Sequence, residues 1–284
     1  MPFVSTVGER LIRWGLGGLV AKAATFAYNL RPAGRRDFSC DKEKFWTNAQ
    51  REAVIVSCGA HTLHYSAVRN EVQDIWEHTY SPQPGDIVID VGAGIGQEIV
   101  VFSKLVGPQG RVIAIEAHPR TCEALRRTVE KSQLSNVTVI NVAVADAEGE
   151  LKISDRTNHI ANSVMAVSEG ISVRAATLDD LMMELRINHI DYLKMNIEGA
   201  EKLAIRGMTR TINSIRHVAI ACHDFLADEG GPEDTRTMSI VRTFLKENGY
   251  RITERADDPR PWVRDQYYGE KIEGTPIRPA CSSG

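Results

Sequence analysis

The spacing of hydrophobic residues predicts alternating strands and helices over most of the chain. Short aliphatic runs, typical of buried strands, are separated by stretches in which apolar residues recur at helical spacing. The predicted strands are Ile87–Val91, Val112–Glu116, Val137–Val142, Asp191–Ile197, His217–Cys222 and Tyr250–Glu254. Alternation at this pitch predicts an α/β fold in which helices cover both faces of a mostly parallel sheet.

Helical patterns fill the intervals between these strands. The predicted helices are Gly96–Val106, Pro119–Ser132, Leu178–Leu185, one from about Gly199, and Pro232–Asn248. We predict a last strand over Trp262–Tyr268, running antiparallel to the others. Residues 149–173 interrupt the alternation with short strand-like pieces. Their polar loop, Arg156–Ser163, is long enough to cover a crevice.

The N-terminal part of the chain has a different pattern. Apolar residues near helical spacing indicate an amphipathic helix over residues 5–30. Such a helix packs on its own domain, packs on a partner subunit in a homodimer, or lies on a membrane surface as a peripheral contact. A hairpin is predicted from residues 53–57 and 61–65, followed by a helix over 70–80. We divide the chain into an N-terminal helical accessory region, 1–52, and a main domain, 53–284.

Composition and charge argue against some classes of function but do not identify one. The 284 residues carry a net charge of −3, which argues against a nucleic-acid partner. Five widely spaced cysteines without a C-x-x-C pair argue against a disulfide framework and a zinc site, and favour a reducing compartment. With no convincing signal peptide and no apolar run of membrane-spanning length, we expect a cytoplasmic protein.

A glycine loop follows the first strand of the main domain, and an acidic residue ends the second. Gly92, Gly94 and Gly96 have G-x-G-x-G spacing, and Glu116 lies twenty residues after the loop. Glycines let the backbone turn tightly against a ligand, and a carboxylate can accept hydrogen bonds from both ribose hydroxyls. Dinucleotide sites usually have G-x-G-x-x-G, so the spacing favours S-adenosylmethionine over NAD.

Several motifs together resemble one known family. The glycine motif over residues 88–96, Leu-Asp-Asp-Leu at 178–181 and Lys-Met-Asn-Ile-Glu-Gly-Ala-Glu at 194–201 are similar to those of FkbM-type S-adenosylmethionine-dependent methyltransferases. The resemblance covers about residues 84 to 254. It implies a Rossmann-like class I methyltransferase fold with a seven-stranded sheet whose last strand is antiparallel. It also implies methylation of hydroxyl groups on sugars, glycolipids or polyketide-type metabolites.

The resemblance and the strand ends together define a predicted cofactor site. Asp146 follows the third strand, and class I enzymes often use a residue at this position to contact the adenine amino group. The alternative is that Asp146 is a carboxylate in a turn without such a role. The predicted cofactor-binding residues are Asp90, Gly92, Ala93, Gly94, Gly96, Glu116, Ala117 and Asp146.

The acceptor side of the crevice is predicted from the ends of the next two strands, because ligands of parallel sheets bind beyond the carboxyl ends of strands. The predicted catalytic residues are His223, Asn196, Glu198 and Asp224. His223 is the candidate general base, since an imidazole titrates near neutral pH, although a structural histidine is an equal alternative. Asp224 either orients His223 or caps a helix. Glu201 either serves the site or favours the dipole of the following helix.

Two positions on this side depart from the family pattern. Asn196 stands where the family usually has aspartate, and Cys222 stands where a glutamate commonly precedes the histidine. Fewer anionic oxygens attract a hard divalent cation less strongly, so a metal-assisted mechanism is doubtful and we assign no metal ligand.

We therefore expect an S-adenosylmethionine-dependent O-methyltransferase acting on a small-molecule or glycan- or lipid-linked hydroxyl. The alternatives are a non-catalytic cofactor-binding or interaction protein, suggested by Asn196 and Cys222, and an NAD-dependent oxidoreductase, which the loop spacing disfavours.

Overall fold

The computed structural model describes residues 10–30, 35–155 and 170–272. The strands are β1 (Arg36–Cys40), β2 (Trp46–Gln50), β3 (Val54–Ser57), β4 (Ile87–Val91), β5 (Arg111–Ile115), β6 (Val137–Ile140), β7 (Ala143–Val144), β8 (Gly149–Ile153), β9 (Ile171–Ala176), β10 (Ile190–Met195), β11 (Ile215–Ala221), β12 (Tyr250–Glu254) and β13 (Gln266–Lys271). The helices are α1 (Gly17–Asn29), α2 (Tyr65–Glu71), α3 (Gln97–Val106), α4 (Pro119–Lys131), α5 (Leu178–Glu184), α6 (Glu201–Arg206), α7 (Asp224–Asp228), α8 (Met238–Glu247) and α9 (Pro261–Arg264).

The central sheet has seven strands in the order β12–β13–β11–β10–β4–β5–β6. All its strands run in one direction except β13, which pairs antiparallel with both β11 and β12. This confirms the predicted mostly parallel sheet with an antiparallel last strand. The strand order reverses direction between β10 and β4, and ligands of such sheets bind at that switch point.

Two hydrophobic layers cover the faces of this sheet, because successive strand residues point to opposite sides. Ile89, Ile113 and Leu193 point to the layer that contains residues of α5, α6 and α8. Their neighbours Val88 and Val112 point to the layer that contains residues of α3 and α4. The sheet therefore holds the strand ends at fixed positions within a doubly covered core.

The predicted hairpin over residues 53–65 is wrong in its pairing. β3 pairs antiparallel with β2, and β2 with β1, in a separate three-stranded sheet. Residues 61–63 are not a strand; the Trp46 indole N–H donates to the His61 carbonyl at 3.0 Å, and the Asn48 amide donates to the Leu63 carbonyl at 3.0 Å. Side chains of β2 thus hold this segment. The division at residue 52 stays a prediction, and the paired strands β2 and β3 lie on either side of it.

Three helices differ from their predicted bounds. The helix expected over 5–30 is interrupted at Gly15, whose φ of 82° is left-handed, so α1 begins at Gly17. The helix expected over 70–80 begins earlier, as α2, and continues as a π-helical turn over Val72–Trp76. The helix expected from Pro232 begins only at Met238. The polar loop Arg156–Ser163 lies outside the described residues.

None of the helices within the described ranges combines the length and the apolar character needed to cross a bilayer.

The fold predicts a severe effect for one small substitution. A Cβ added to Gly207, just after α6, would lie 1.9 Å from the Ala145 carbonyl oxygen. Because that atom is backbone and cannot rotate away, we expect Gly207→Ala to lower the free energy of unfolding by about 2 to 4 kcal/mol in a urea titration. Gly18→Ala on α1, where a Cβ meets nothing within 4 Å, is the matched control and should leave stability unchanged or slightly higher.

Candidate functional site

A cavity of about 600 Å³ opens at the switch point, beyond the carboxyl ends of β4, β5, β10 and β11. Eight of the twelve predicted site residues line it: Gly92, Ala93, Gly94, Glu116, Ala117, Asn196, Glu198 and His223. The glycine loop and Glu116 come from the β4 and β5 ends, whereas Asn196, Glu198 and His223 follow β10 and β11. The cavity thus joins the predicted cofactor side to the predicted acceptor side.

The glycine loop approaches the end of β10 so closely that Gly92 is required. Gly92 has a φ of 83°, and a Cβ there would lie 2.0 Å from the Asn196 carbonyl oxygen. The Asn196 N–H in turn donates to the Val91 carbonyl at 2.9 Å. The cofactor loop and the acceptor strand are therefore in direct backbone contact at the base of the cavity.

Glu116 is held at the cavity wall by two backbone donors. The Gly94 N–H donates to one carboxylate oxygen and the His118 N–H to the other, both at 2.9 Å. Burial raises the pKa of this carboxyl to about 7, although the hydrogen bonds from the two N–H groups act to lower it. Each oxygen keeps a free lone pair. A rigid carboxylate at the end of the second strand fits the ribose of a nucleoside cofactor.

Behind the loop lies a buried ion pair. The Lys194 ammonium lies 2.8 Å from the Asp90 carboxylate and donates to the Gly92 carbonyl at 3.1 Å, and both charged side chains are buried. Burial raises the pKa of Asp90 to about 6, and Lys194 opposes that rise. Burial lowers the pKa of Lys194, but the carboxylates of Asp90, Glu98 and Glu116 together outweigh it and the net shift is upward. Lys194 therefore holds the glycine loop from below.

Four predicted site residues lie away from the cavity wall, which corrects the expectation of direct contact. Asp90 is in the ion pair, and Gly96 packs on α4, where a Cβ would lie 2.6 Å from Leu125. Asp146 is half-exposed and faces Arg206 at 3.9 Å. Asp224 caps α8, accepting the N–H groups of residues 237 and 238 at 2.8 and 3.0 Å. Asp224 is thus the helix cap that the sequence left as its alternative.

On the acceptor side, His223 lies between two carboxylates. Its Nδ1 is 3.0 Å from Glu201 and its Nε2 is 3.5 Å from Glu198. Burial lowers the pKa of His223, but Glu201 and Glu198 outweigh it and raise the pKa to about 10. At neutral pH the ring is therefore an imidazolium. Glu198 has a left-handed φ of 54° and a partly exposed side chain that lines the cavity.

Glu201 supports the site from the protein interior. Its side chain is buried; one oxygen faces His223 and the other accepts the Thr237 hydroxyl at 3.1 Å. It also receives long hydrogen bonds, 3.3 and 3.4 Å, from the N–H groups of residues 197 and 199. The sequence offered a dipole role or a functional one, and the contacts favour the latter, because Glu201 fixes both the ring and the loop that carries Glu198.

The two departures from the family pattern have different positions. Asn196 lines the cavity, but Cys222 is fully buried among the hydrophobic residues of the α5–α6–α8 layer. Cys222 therefore does not alter the cavity wall. The residues present do not fit a hard divalent cation: Glu198 and Glu201 are paired with His223, and in the described ranges no three His, Cys, Asp or Glu side chains are arranged as a metal site.

Other wall residues were not found from the sequence. They come from the segment before α2, the end of α2, the π-helical turn, the starts of α3, α7 and α9, and the start of β13, and they include His61, Leu63, Glu71, Ile75, Trp76, Gln97, Glu98, Phe225, Trp262 and Gln266. Gln97 and Glu98 directly follow the glycine loop, so that motif could have found them. The rest carry no local motif, because tertiary packing alone brings them to the cavity.

Known proteins that are similar to this chain are methyltransferases. The model of the methyltransferase FkbM domain matches residues 90–252. The chain belongs to the FkbM methyltransferase family. Family membership confirms the predicted resemblance, the class I fold and S-adenosylmethionine as the cofactor. We propose that the Glu116 carboxylate and the glycine loop of this FkbM domain hold that cofactor.

Individual relatives of this FkbM protein are distant. It is 24% identical over 181 residues to the 2-O-methyltransferase NoeI of Sinorhizobium fredii, covering 57% of this chain and 73% of NoeI. It is 22% identical to methyltransferase sdnD of Sordaria araneosa, over 72% of this chain and 90% of the relative. A protein-L-isoaspartate O-methyltransferase of Aeropyrum pernix is 43% identical over only 65 residues, 23% of this chain and about a quarter (24%) of that enzyme.

Among solved structures, an FkbM methyltransferase of Methylobacillus flagellatus is similar, with a TM-score of 0.49 and 18% identity. The match covers 68% of this chain and 45% of that one, so this chain spans less than half of that FkbM protein.

The buried ion pair makes a prediction about stability. Lys194→Met leaves the Asp90 carboxyl buried without its cation, and we expect the free energy of unfolding to fall by about 3 to 5 kcal/mol. The double variant Asp90→Asn with Lys194→Met removes both charges and should lose clearly less. Urea titrations of the two single variants and the double variant measure the coupling. Additive losses would contradict a direct interaction.

The raised pKa of Glu116 makes a prediction about pH. Above pH 7 the carboxyl of the free protein is ionised and, under this assignment, can accept hydrogen bonds from both ribose hydroxyls of an incoming ligand; below pH 7, protonation removes acceptor capacity. The dissociation constant for S-adenosylhomocysteine, measured by calorimetry, should therefore rise by up to about tenfold per pH unit below pH 7. Glu116→Gln should bind more weakly at pH 8 and lose this dependence. The exposed control Glu229→Gln should keep it, and a pH dependence surviving in Glu116→Gln would refute the assignment.

Proposed function

We propose that this protein transfers a methyl group from S-adenosylmethionine to a hydroxyl oxygen of a sugar, glycolipid or polyketide-type acceptor. The observation that carries the proposal is the Glu198 carboxylate, which lines the cavity beside the imidazolium of His223. The similarity to NoeI, a 2-O-methyltransferase, supports an oxygen acceptor. When bound, S-adenosylmethionine supplies an electrophilic methyl group; the residues of the chain must align the acceptor and receive its proton.

Glu198 has the better position for the general base. A hydroxyl in the cavity can donate a hydrogen bond to its carboxylate, which then accepts the proton as the oxygen gains the methyl group. The sequence favoured His223 for this role. At neutral pH the two carboxylates hold that ring protonated, so it cannot accept a further proton. We assign His223 to positioning Glu198, and Glu201 to positioning His223.

Asn196 lines the same cavity as this acid–imidazolium cluster. Its amide can donate to and accept from an acceptor hydroxyl, whereas the aspartate of the family pattern only accepts. The change therefore favours orientation of a neutral polyol acceptor over binding of a cation. Exclusion of water falls to the apolar wall formed by Ile75, Trp76 and Phe225. A dry, oriented acceptor gains rate by positioning alone.

The non-catalytic alternative rests on weaker ground than the sequence suggested. Cys222, one of the two residues that suggested it, lies in the hydrophobic core away from the cavity. The other, Asn196, has an amide that is compatible with binding an acceptor hydroxyl. Binding of S-adenosylhomocysteine with no methyl transfer to any hydroxyl acceptor in a broad screen of glycans, glycolipids and polyketides would favour the alternative.

The proposal predicts the effect of one substitution in the cluster. Glu198→Gln keeps the shape of the side chain but removes the proton acceptor, so we expect kcat for methyl transfer to fall by about 10² to 10⁴. Transfer of labelled methyl from S-adenosylmethionine measures the loss, and the affinity for S-adenosylhomocysteine should change less than about twofold.

Glu229→Gln, an exposed carboxylate away from the cavity wall, is the matched control and should keep the parent kcat. Parent-like turnover in Glu198→Gln would remove Glu198 from the mechanism. A methylated product carrying the group on nitrogen or carbon would contradict the oxygen acceptor.

A further inference from the structure

Helix α1 has its small residues inward and its large apolar residues outward. Gly17, Ala21 and Ala24 are buried against the three-stranded sheet β1–β2–β3. The exposed set comprises Trp14, Leu16, Leu19, Phe26 and Leu30, whose exposed fractions run from 41% to 75%. Large exposed apolar patches on a folded protein mark a surface that meets another apolar phase.

The outward residues of α1 form one continuous stripe. Leu16, Leu19, Phe26 and Leu30 recur at spacings of three, seven and four, with the exposed Ala23 between Leu19 and Phe26. Residues at these spacings share one face of a helix. Trp14, in the turn that precedes α1, is the most exposed of the large apolar residues in the described ranges. This set, which we call the apolar stripe, faces away from the protein along the length of the helix.

The helix is fixed in this orientation by hydrogen bonds to β1. The Thr25 hydroxyl accepts the Phe38 N–H at 2.9 Å. The Asn29 side chain donates to the Arg36 carbonyl and accepts the Arg36 N–H, both at 2.9 Å. One of the alternatives from the sequence was that this helix packs on its own domain. It does pack there, but through the face that carries its small residues. The apolar stripe is therefore a fixed surface rather than a misplaced core face.

Charge around the apolar stripe points to the kind of partner. The first 36 residues contain six Arg or Lys residues and one Glu, although the whole chain has a net charge of −3. Between residues 10 and 30 there is no acidic residue, and the cations Arg10, Arg13 and Lys22 are exposed. Cations flanking a stripe of Trp, Phe and Leu are typical of helices that lie in the interface of anionic membranes.

We propose that the apolar stripe docks this protein on an anionic lipid surface. The thirteen residues of α1 are too few to cross a bilayer, so the helix lies in the plane of the interface. Leu19, Phe26 and Leu30 enter the acyl boundary, and Trp14 lies at the headgroup level, where tryptophan is favoured. Arg10, Arg13 and Lys22 attract anionic headgroups.

A second copy of the chain fits this face less well. A two-fold interface places the same patch on both subunits, so Arg10, Arg13 and Lys22 of one copy would lie near those of the other with no acidic residue in 10–30 to pair them. Lipid phosphates supply the missing negative charge. Charge complementarity therefore favours the membrane over a homodimer.

Sedimentation of the full chain with vesicles tests the proposal. Vesicles of phosphatidylcholine with about 30% phosphatidylserine should bind the protein at least about tenfold better than phosphatidylcholine alone, and 0.5 M salt should weaken that binding. The double variant Leu19→Glu with Phe26→Glu should lower partitioning by about tenfold or more. Changing Arg10, Arg13 and Lys22 to Gln should remove the preference for anionic vesicles.

The matched control is Met183→Glu with Ile240→Glu, which adds the same charges at exposed apolar positions of α5 and α8 and should partition like the parent. Unchanged affinity for S-adenosylhomocysteine shows that each variant is folded. Failure of the parent to bind anionic vesicles, or parent-like binding by the stripe variant, would overturn the proposal. A dimer in light scattering that the stripe variant abolishes would assign the face to a second copy and also overturn it.

Discussion

The ion pair between Asp90 and Lys194 joins the two strands on which the whole site depends. These residues are direct neighbours in the parallel register of β4 and β10, at the point where the strand order reverses. Both side chains point to the same face of the sheet, so two charges meet in a buried layer where only a close partner makes them tolerable. The ammonium also donates to the Gly92 carbonyl, which ties the glycine loop to the strand that Asn196 and Glu198 follow. Cofactor loop and acceptor groups thus share one rigid base.

The two sides of the cavity above this base differ in their electrostatics. On the cofactor side, burial makes Glu116 a weak acid that two backbone N–H groups hold in place. On the acceptor side, His223 is charged because carboxylates flank both of its nitrogens. Glu201 is fully buried and Glu198 reaches the cavity, so the cluster has one end anchored in the core and one end at the cavity wall. This asymmetry gives the three side chains different surroundings although both carboxylates contact the same imidazole ring.

Local patterns predicted those parts of the fold that local physics determines. The strand runs and the glycine loop were found because buried parallel strands are continuously apolar and because a tight turn requires glycine. The alternation of side chains along β11 could also have shown that Cys222 points with Val218 and Ile220 into the core, away from the cavity. The partner of β3 could not be found this way, because β2 is polar enough to read as a loop and its pairing depends on contacts with residues 61–63. Asp224 looked catalytic for a similar reason: an aspartate beside a histidine has the same local sequence whether it faces a substrate or caps the next helix.

The small sheet β1–β2–β3 links the outer helix to the cavity wall. It carries α1 on one strand through Thr25 and Asn29, and through Trp46 and Asn48 it holds the segment of His61 and Leu63, which lines the cavity. A helix fixed with its apolar stripe outward therefore sets the position of the cavity wall relative to whatever surface the stripe meets. On a membrane, the cavity would therefore stand at a constant height above the lipid surface. The burial of alanine and glycine on the inner face of α1 makes this geometry stiff, because small residues allow the helix backbone to lie close against the sheet.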